Sequence, residues 1–123
     1  MDKQKTISSE VSFSGIGLHT GEKTNLILKP LKENSGIIFK RIDFDEPVYI
    51  EAILENVVST KRGTVIGKNN VRIHTVEHLL SALYALEIDN LLIEIDNIEP
   101  PILDGSSEIF FNTILNCGLS KQI

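Results

Sequence analysis

Between Leu79 and Leu86 the chain carries no charged residue. Val76, Leu79, Leu80, Leu83 and Leu86 recur at helical spacing and form one apolar stripe. A helix exposed to water sets Lys or Glu opposite such a stripe. Here the opposite face is Ser81, Ala82 and Ala85, small and neutral. The pattern predicts a helix covered on both sides, with small residues that allow close approach. Thr75, just ahead of the stripe, offers its hydroxyl as an N-cap.

The rest of the chain supplies the layer such a helix packs on. Residues 6 to 14 alternate, with Ile7, Val11 and Phe13 on one face, which is the period of a half-buried strand. Lys23 to Pro30 and Ile37 to Arg41 alternate in the same way, joined through a polar turn that ends in Gly36. Val48, Ile50 and Ala52 start another strand, extended here to Val58. Val65-Ile66 and Val71-Arg72-Ile73 flank Gly67-Lys68-Asn69-Asn70, a hairpin signal. After the helix, Leu91 to Ile95 is apolar enough to be a central strand. Asp104-Gly105-Ser106-Ser107 then caps a second helix with apolar positions Ile109, Phe110, Ile114 and Leu115, stopped at Gly118. The expected fold is α+β: a two-layer sandwich of a mainly antiparallel sheet with two helices packed on one face, residues 1–123 forming a single domain.

Composition narrows the function classes. The 123 residues suit one domain. With 12 basic against 17 acidic residues the net charge is −5, and no basic run exceeds Lys61-Arg62. That is not the basic face of a nucleic-acid binder. The single Cys117 excludes an intramolecular disulfide and fits a reducing compartment. No leading apolar segment or membrane-length run is present, so the expected location is the cytoplasm.

Chemistry concentrates at His74-Thr75-Val76-Glu77-His78, two imidazoles and a carboxylate at the helix start. Neutral imidazole holds zinc, and a carboxylate beside the metal takes a proton from its water. One reading is the H-x-x-E-H signature of inverted zinc peptidases, with His74 and His78 as ligands on one helix face. A second keeps only Glu77 and His78 as chemical groups and takes the other ligands from elsewhere. A third is a plain solvated Glu-His pair. If Thr75 caps the helix, His74 lies outside it at the end of a strand, and the peptidase geometry is lost. Gly15-Ile16-Gly17-Leu18-His19-Thr20-Gly21 looks like a dinucleotide loop, but a strand follows it, so no helix N-terminus waits for a pyrophosphate. A turn between strands remains, with His19 either reaching a site or lying on a plain loop.

Five motifs in one order extend the second reading. They are Gly15 to Gly21, Gly36-Ile37-Ile38-Phe39-Lys40-Arg41, Thr75 to Leu83, Ile88-Asp89-Asn90 and Pro101-Ile102-Leu103-Asp104-Gly105-Ser106. Together they resemble the amino-terminal half of the UDP-3-O-acyl-N-acetylglucosamine deacetylases of lipid A biosynthesis, over nearly the whole chain. The resemblance implies a zinc amidase of two similar α+β domains, packed helix layer to helix layer around the active site. It implies His78 as one of three zinc (Zn2+) ligands and Glu77 as the carboxylate that activates the water. The implied substrate is a UDP-linked acylated amino sugar, and the reaction is hydrolysis of its 2-acetamido group. His19 matches a loop histidine near the cleft, and Thr60 and Lys61 fall in a loop that approaches substrate.

The family's remaining zinc ligands lie in an H-x-x-x-D pattern of a second domain, which this chain lacks. The expectation is therefore an incomplete site and a chain inactive by itself. Two alternatives belong to other classes: an autonomous binding module of the same fold, and self-association through the neutral helix face.

Overall fold

The computed structural model describes residues 3–123. Five strands form the main sheet in the order β2-β3-β9-β4-β5, comprising β2 (Val11–Ile16), β3 (Lys23–Pro30), β4 (Ile37–Arg41), β5 (Val48–Glu51) and β9 (Leu91–Ile95). All neighbours pair antiparallel except β4 and β9, which run parallel. As its apolar sequence predicts, β9 is the central strand.

Register explains the core. Val11 lies opposite Leu28, Leu28 opposite Ile93, Ile93 opposite Phe39, and Phe39 opposite Ile50. This row crosses the whole sheet on one face, and all five side chains are buried. Alternation puts Ile27, Lys29, Lys40 and Glu94 on the other face. There Lys29 and Lys40 reach Glu94 at 3.1 and 3.3 Å. Burial pushes the Glu94 carboxyl up, but hydrogen bonds and charge from both lysines outweigh it and hold the pKa below its usual value. One face is therefore apolar and the other charged, so the helices have one face to cover.

Helices α1 (Glu77–Ala85) and α2 (Glu108–Cys117) cover it, burying Leu79, Ala82 and Leu83 from the first and Phe110 and Ile114 from the second. Phe110 meets Phe13 of β2 edge-on, ring centroids 4.9 Å apart. The fold is the α+β two-layer sandwich expected. Ala82 faces the core and not the outer side, because on the helix wheel it lies beside Leu86, on the edge of the apolar stripe. The outer face is open: Ser81 and Ala85 are exposed, and Tyr84 is 87% exposed. Among the described residues nothing covers this neutral outer face. On α2, Ile109 and Leu115 also point outward.

Two strand expectations are corrected. Residues 6 to 14 are not one strand: β1 (Lys5–Ile7) pairs with β10 (Leu119–Lys121), while β2 joins the main sheet. The segment to Val58 does not extend β5. A 3-10 turn at Leu54–Asn56 redirects the chain into β6 (Val57–Ser59), which pairs with the hairpin β7 (Val65–Lys68) and β8 (Val71–Ile73) in a separate sheet. That hairpin turns through Asn69 and Asn70, both at positive φ (54° and 68°), as a tight primed turn requires. The ends of the chain are tied by Asn90, whose Oδ1 accepts from the Ser35 and Gly36 N–H groups while its Nδ2 donates to Gln4 and Gln122.

Candidate active site

The start of α1 is shaped by what precedes it. After β8, the His74 N–H donates to the Ile98 carbonyl at 2.8 Å. Thr75 adopts φ of +56°, in the left-handed region that a β-branched residue rarely enters. The chain then turns through Val76, and α1 begins at Glu77. Thr75 is not the N-cap. That position is Val76, and no side chain caps the helix. The Thr75 hydroxyl instead donates to Glu99 Oε2 at 2.5 Å. His74 lies outside the helix, so His74 and His78 do not share a helical face.

Glu77 is fixed from the opposite side. The Thr64 N–H donates to its Oε1 at 3.0 Å, and the Val76 N–H donates to the Thr64 carbonyl at 3.2 Å. Gly63 passes so close that a Cβ there would lie 3.0 Å from Glu77 Oε2, and its φ of +116° also demands glycine. A carboxylate in the first helical turn is favoured by the helix dipole as well. His78 follows, half-buried in the same turn. The turn before α2 approaches it. Hydrogen bonds from the Ser106 hydroxyl and N–H hold the Asp104 carboxyl below its usual range, with nearby His78 a minor influence in the same direction.

On the other side of the 59–64 loop is a cavity of about 550 Å³. Its polar wall is His19, Ser59, Lys61, Arg62, Arg72 and His74, and Val58 and Val65 supply the apolar part. No carboxylate lines it, so its field favours anions. Of the residues picked out in the sequence, His19 and Lys61 meet here, and His74 joins them. Thr60 is exposed on the loop and forms no part of the cavity wall. One loop therefore serves two places: Thr64 holds Glu77, while Lys61 and Arg62 face the cavity.

Glu99 joins these parts and is absent from any sequence expectation. It is 1% exposed and accepts four hydrogen bonds. The His19 and Thr20 N–H groups donate to Oε1 at 2.9 and 3.1 Å, and His19 Nδ1 and the Thr75 hydroxyl reach Oε2 at 2.9 and 2.5 Å. Burial pushes this carboxyl up, but the bonds from Thr75, Thr20 and His19 outweigh it and hold the pKa below normal. Gly17 makes room for it, since a Cβ there would run into Glu99 Oε1.

Among the described residues no three His, Cys, Asp or Glu side chains gather as a metal site. A catalytic zinc takes three protein ligands and keeps one open position. The donors present, one imidazole with a carboxylate beside it, fit part of such a set.

The structure is thus a two-layer α+β domain that sets a fixed carboxylate, a neighbouring imidazole and a basic cavity around one helix start. The chain belongs to the UDP-3-O-acyl N-acetylglycosamine deacetylase family, whose model matches residues 4–123. It is 49% identical over 120 residues to a UDP-3-O-acyl-N-acetylglucosamine deacetylase of Geotalea uraniireducens, covering 98% of this chain and 39% of that protein. Identity to the enzyme of that name from Methylococcus capsulatus is 47% over 122 residues, covering 99% and 40%. The bifunctional enzyme LpxC/FabZ of Chlorobaculum tepidum is 46% identical over 119 residues, covering 97% and 26%. The chain thus spans about a quarter to two-fifths of the length of these relatives.

Proposed function

We propose that the chain is the amino-terminal domain of a zinc-dependent amidase that removes the N-acetyl group from UDP-3-O-acyl-N-acetylglucosamine in lipid A biosynthesis. The observation that carries this reading is the Glu77 carboxylate, held by the Thr64 N–H beside His78 in a chain of the deacetylase family. Glu77 is the general base. Its Oε1 is occupied by Thr64, while Oε2 faces the space that the absent Gly63 side chain leaves open. His78 is one metal ligand, and a second domain of the same polypeptide supplies the others. Zinc, when bound, supplies Lewis acidity at the amide carbonyl and lowers the pKa of a coordinated water toward neutrality. Glu77 then takes the proton of the attacking water, and adjacency in sequence keeps base and ligand on one rim of the helix.

Lys61 and His19, on the basic cavity wall, supply cationic and polar contacts for the anionic nucleotide part of the substrate, and Thr60 lies on the same loop. The open face around Tyr84 and Leu115 is where the second domain packs. No described helix is long and apolar enough to cross a membrane, and the free Cys117 fits a reducing compartment, the cytoplasm. With a single ligand, the 123-residue chain does not turn over. Incubating the purified chain with zinc and the nucleotide sugar tests this: no acetate is expected, and catalytic acetate release would contradict the division of the site between two domains.

A further inference from the structure

We infer that Glu99 is a positioning residue, which fixes the ring orientation and tautomer of His19 and pins the left-handed backbone of Thr75 ahead of Glu77. The first half follows from counting protons. An ionised carboxylate only accepts hydrogen bonds, and Glu99 is ionised at neutral pH. His19 Nδ1 lies 2.9 Å from Glu99 Oε2, so Nδ1 must carry the proton and donate it. The Thr75 hydroxyl spends its single hydrogen on the same carboxylate, so its oxygen, 3.1 Å from Nδ1, can only accept. Both contacts demand the Nδ1–H form.

Nε2 is then the ring nitrogen left without a partner among the described residues. His19 is partly exposed and lines the basic cavity. When neutral it offers that cavity a lone pair, beside the cationic groups of Lys61, Arg62 and Arg72. A ligand there meets donors for its anionic oxygens and, at His19, an acceptor for a hydroxyl or N–H group. Orientation of an imidazole through its second nitrogen by a buried carboxylate is a general device. The second half follows from position. The same carboxylate binds the 17–20 loop and Thr75, so one side chain sets both the cavity wall and the entry to α1.

Only the description of the cavity as a substrate site rests on the deacetylase reading. The test therefore needs no substrate. Nitrogen-15 spectra of the His19 ring, recorded where it is neutral, are expected to show protonated Nδ1 and bare Nε2. In Glu99→Gln the amide oxygen must still accept from the His19 and Thr20 N–H groups, so its NH2 faces Nδ1. The ring must then switch to the Nε2–H form, with the dispersion of the backbone amide spectrum retained. Thr75→Ser, which keeps the hydroxyl, should leave the wild-type tautomer in place. A wild-type ring already protonated at Nε2, or a tautomer unmoved by Glu99→Gln, overturns the inference. Either result is separate from any failure of deacetylation.

Discussion

Thr75 provides a test in which two opposing effects can be separated. Its hydroxyl donates to the buried, ionised Glu99 at 2.5 Å, and a hydrogen bond to a charged group contributes about 1.5–3 kcal/mol. Its φ of +56° places a β-branched residue in the left-handed region, at a cost of roughly 1–2 kcal/mol. Thr75→Ala removes the bond and keeps a Cβ in the strained conformation, so the loss is about 1.5–3 kcal/mol. Thr75→Gly removes the same bond but relieves the strain, offset by about 0.4–1 kcal/mol of extra freedom in the unfolded chain. Glycine should therefore be the less damaging change by roughly 1 kcal/mol, the reverse of its usual rank against alanine. Urea unfolding at neutral pH reads the difference as a shift of midpoint at constant m. A glycine variant less stable than the alanine variant would refute the left-handed backbone. An alanine variant as stable as wild type would refute the hydrogen bond.

Other perturbations test other parts. Asn90→Ala strips the acceptor from the Ser35 and Gly36 N–H groups, at about 1–3 kcal/mol for each donor left unsatisfied, measurable in the same urea titration. Gly63→Ala forces φ of +116° on a residue with a Cβ that meets Glu77 Oε2, so about 1–3 kcal/mol of stability is lost and the Thr64 amide resonance moves. Hydrogen bonds from Arg41 hold the Asp43 carboxyl below its usual value, and Glu99 is held low by its donors against burial. A carboxyl lowered on folding contributes stability that is complete above its unfolded pKa and lost as pH falls through the folded one. Melting temperature should thus stay level above pH of about 5 and drop below about 4. Glu99→Gln should flatten part of that drop.

The sheet was legible where alternation stays local. Lys23 to Pro30, Ile37 to Arg41 and the Asn69-Asn70 hairpin lie where period and turn chemistry place them. Residues 6 to 14 were misread because an unbroken period of two does not say which strand each half pairs with. Ile7 finds its partner at Leu119, across almost the whole chain. The neutral outer face of α1 was legible from the absence of charge between Leu79 and Leu86, and within this chain that face is open. At the candidate site, Glu77 and His78 were visible as candidates because both stand beside one strong helical stripe. Glu99 was not, because its donors His19 and Thr75 are 80 and 24 residues away. The one available signal was a carboxylate set between Ile98 and Pro100-Pro101. An acid in such a segment, if buried, needs partners.

The most direct test of the proposed chemistry compares metal content with turnover in a polypeptide that carries this chain at its relatives' full length. Glu77→Gln keeps the shape of the side chain and the acceptor for the Thr64 N–H but removes the base. Zinc content should equal that of the unmodified protein, while acetate release from UDP-3-O-acyl-N-acetylglucosamine falls by about 10²–10⁴-fold. Undiminished acetate release by Glu77→Gln would contradict the assignment of Glu77 as the base.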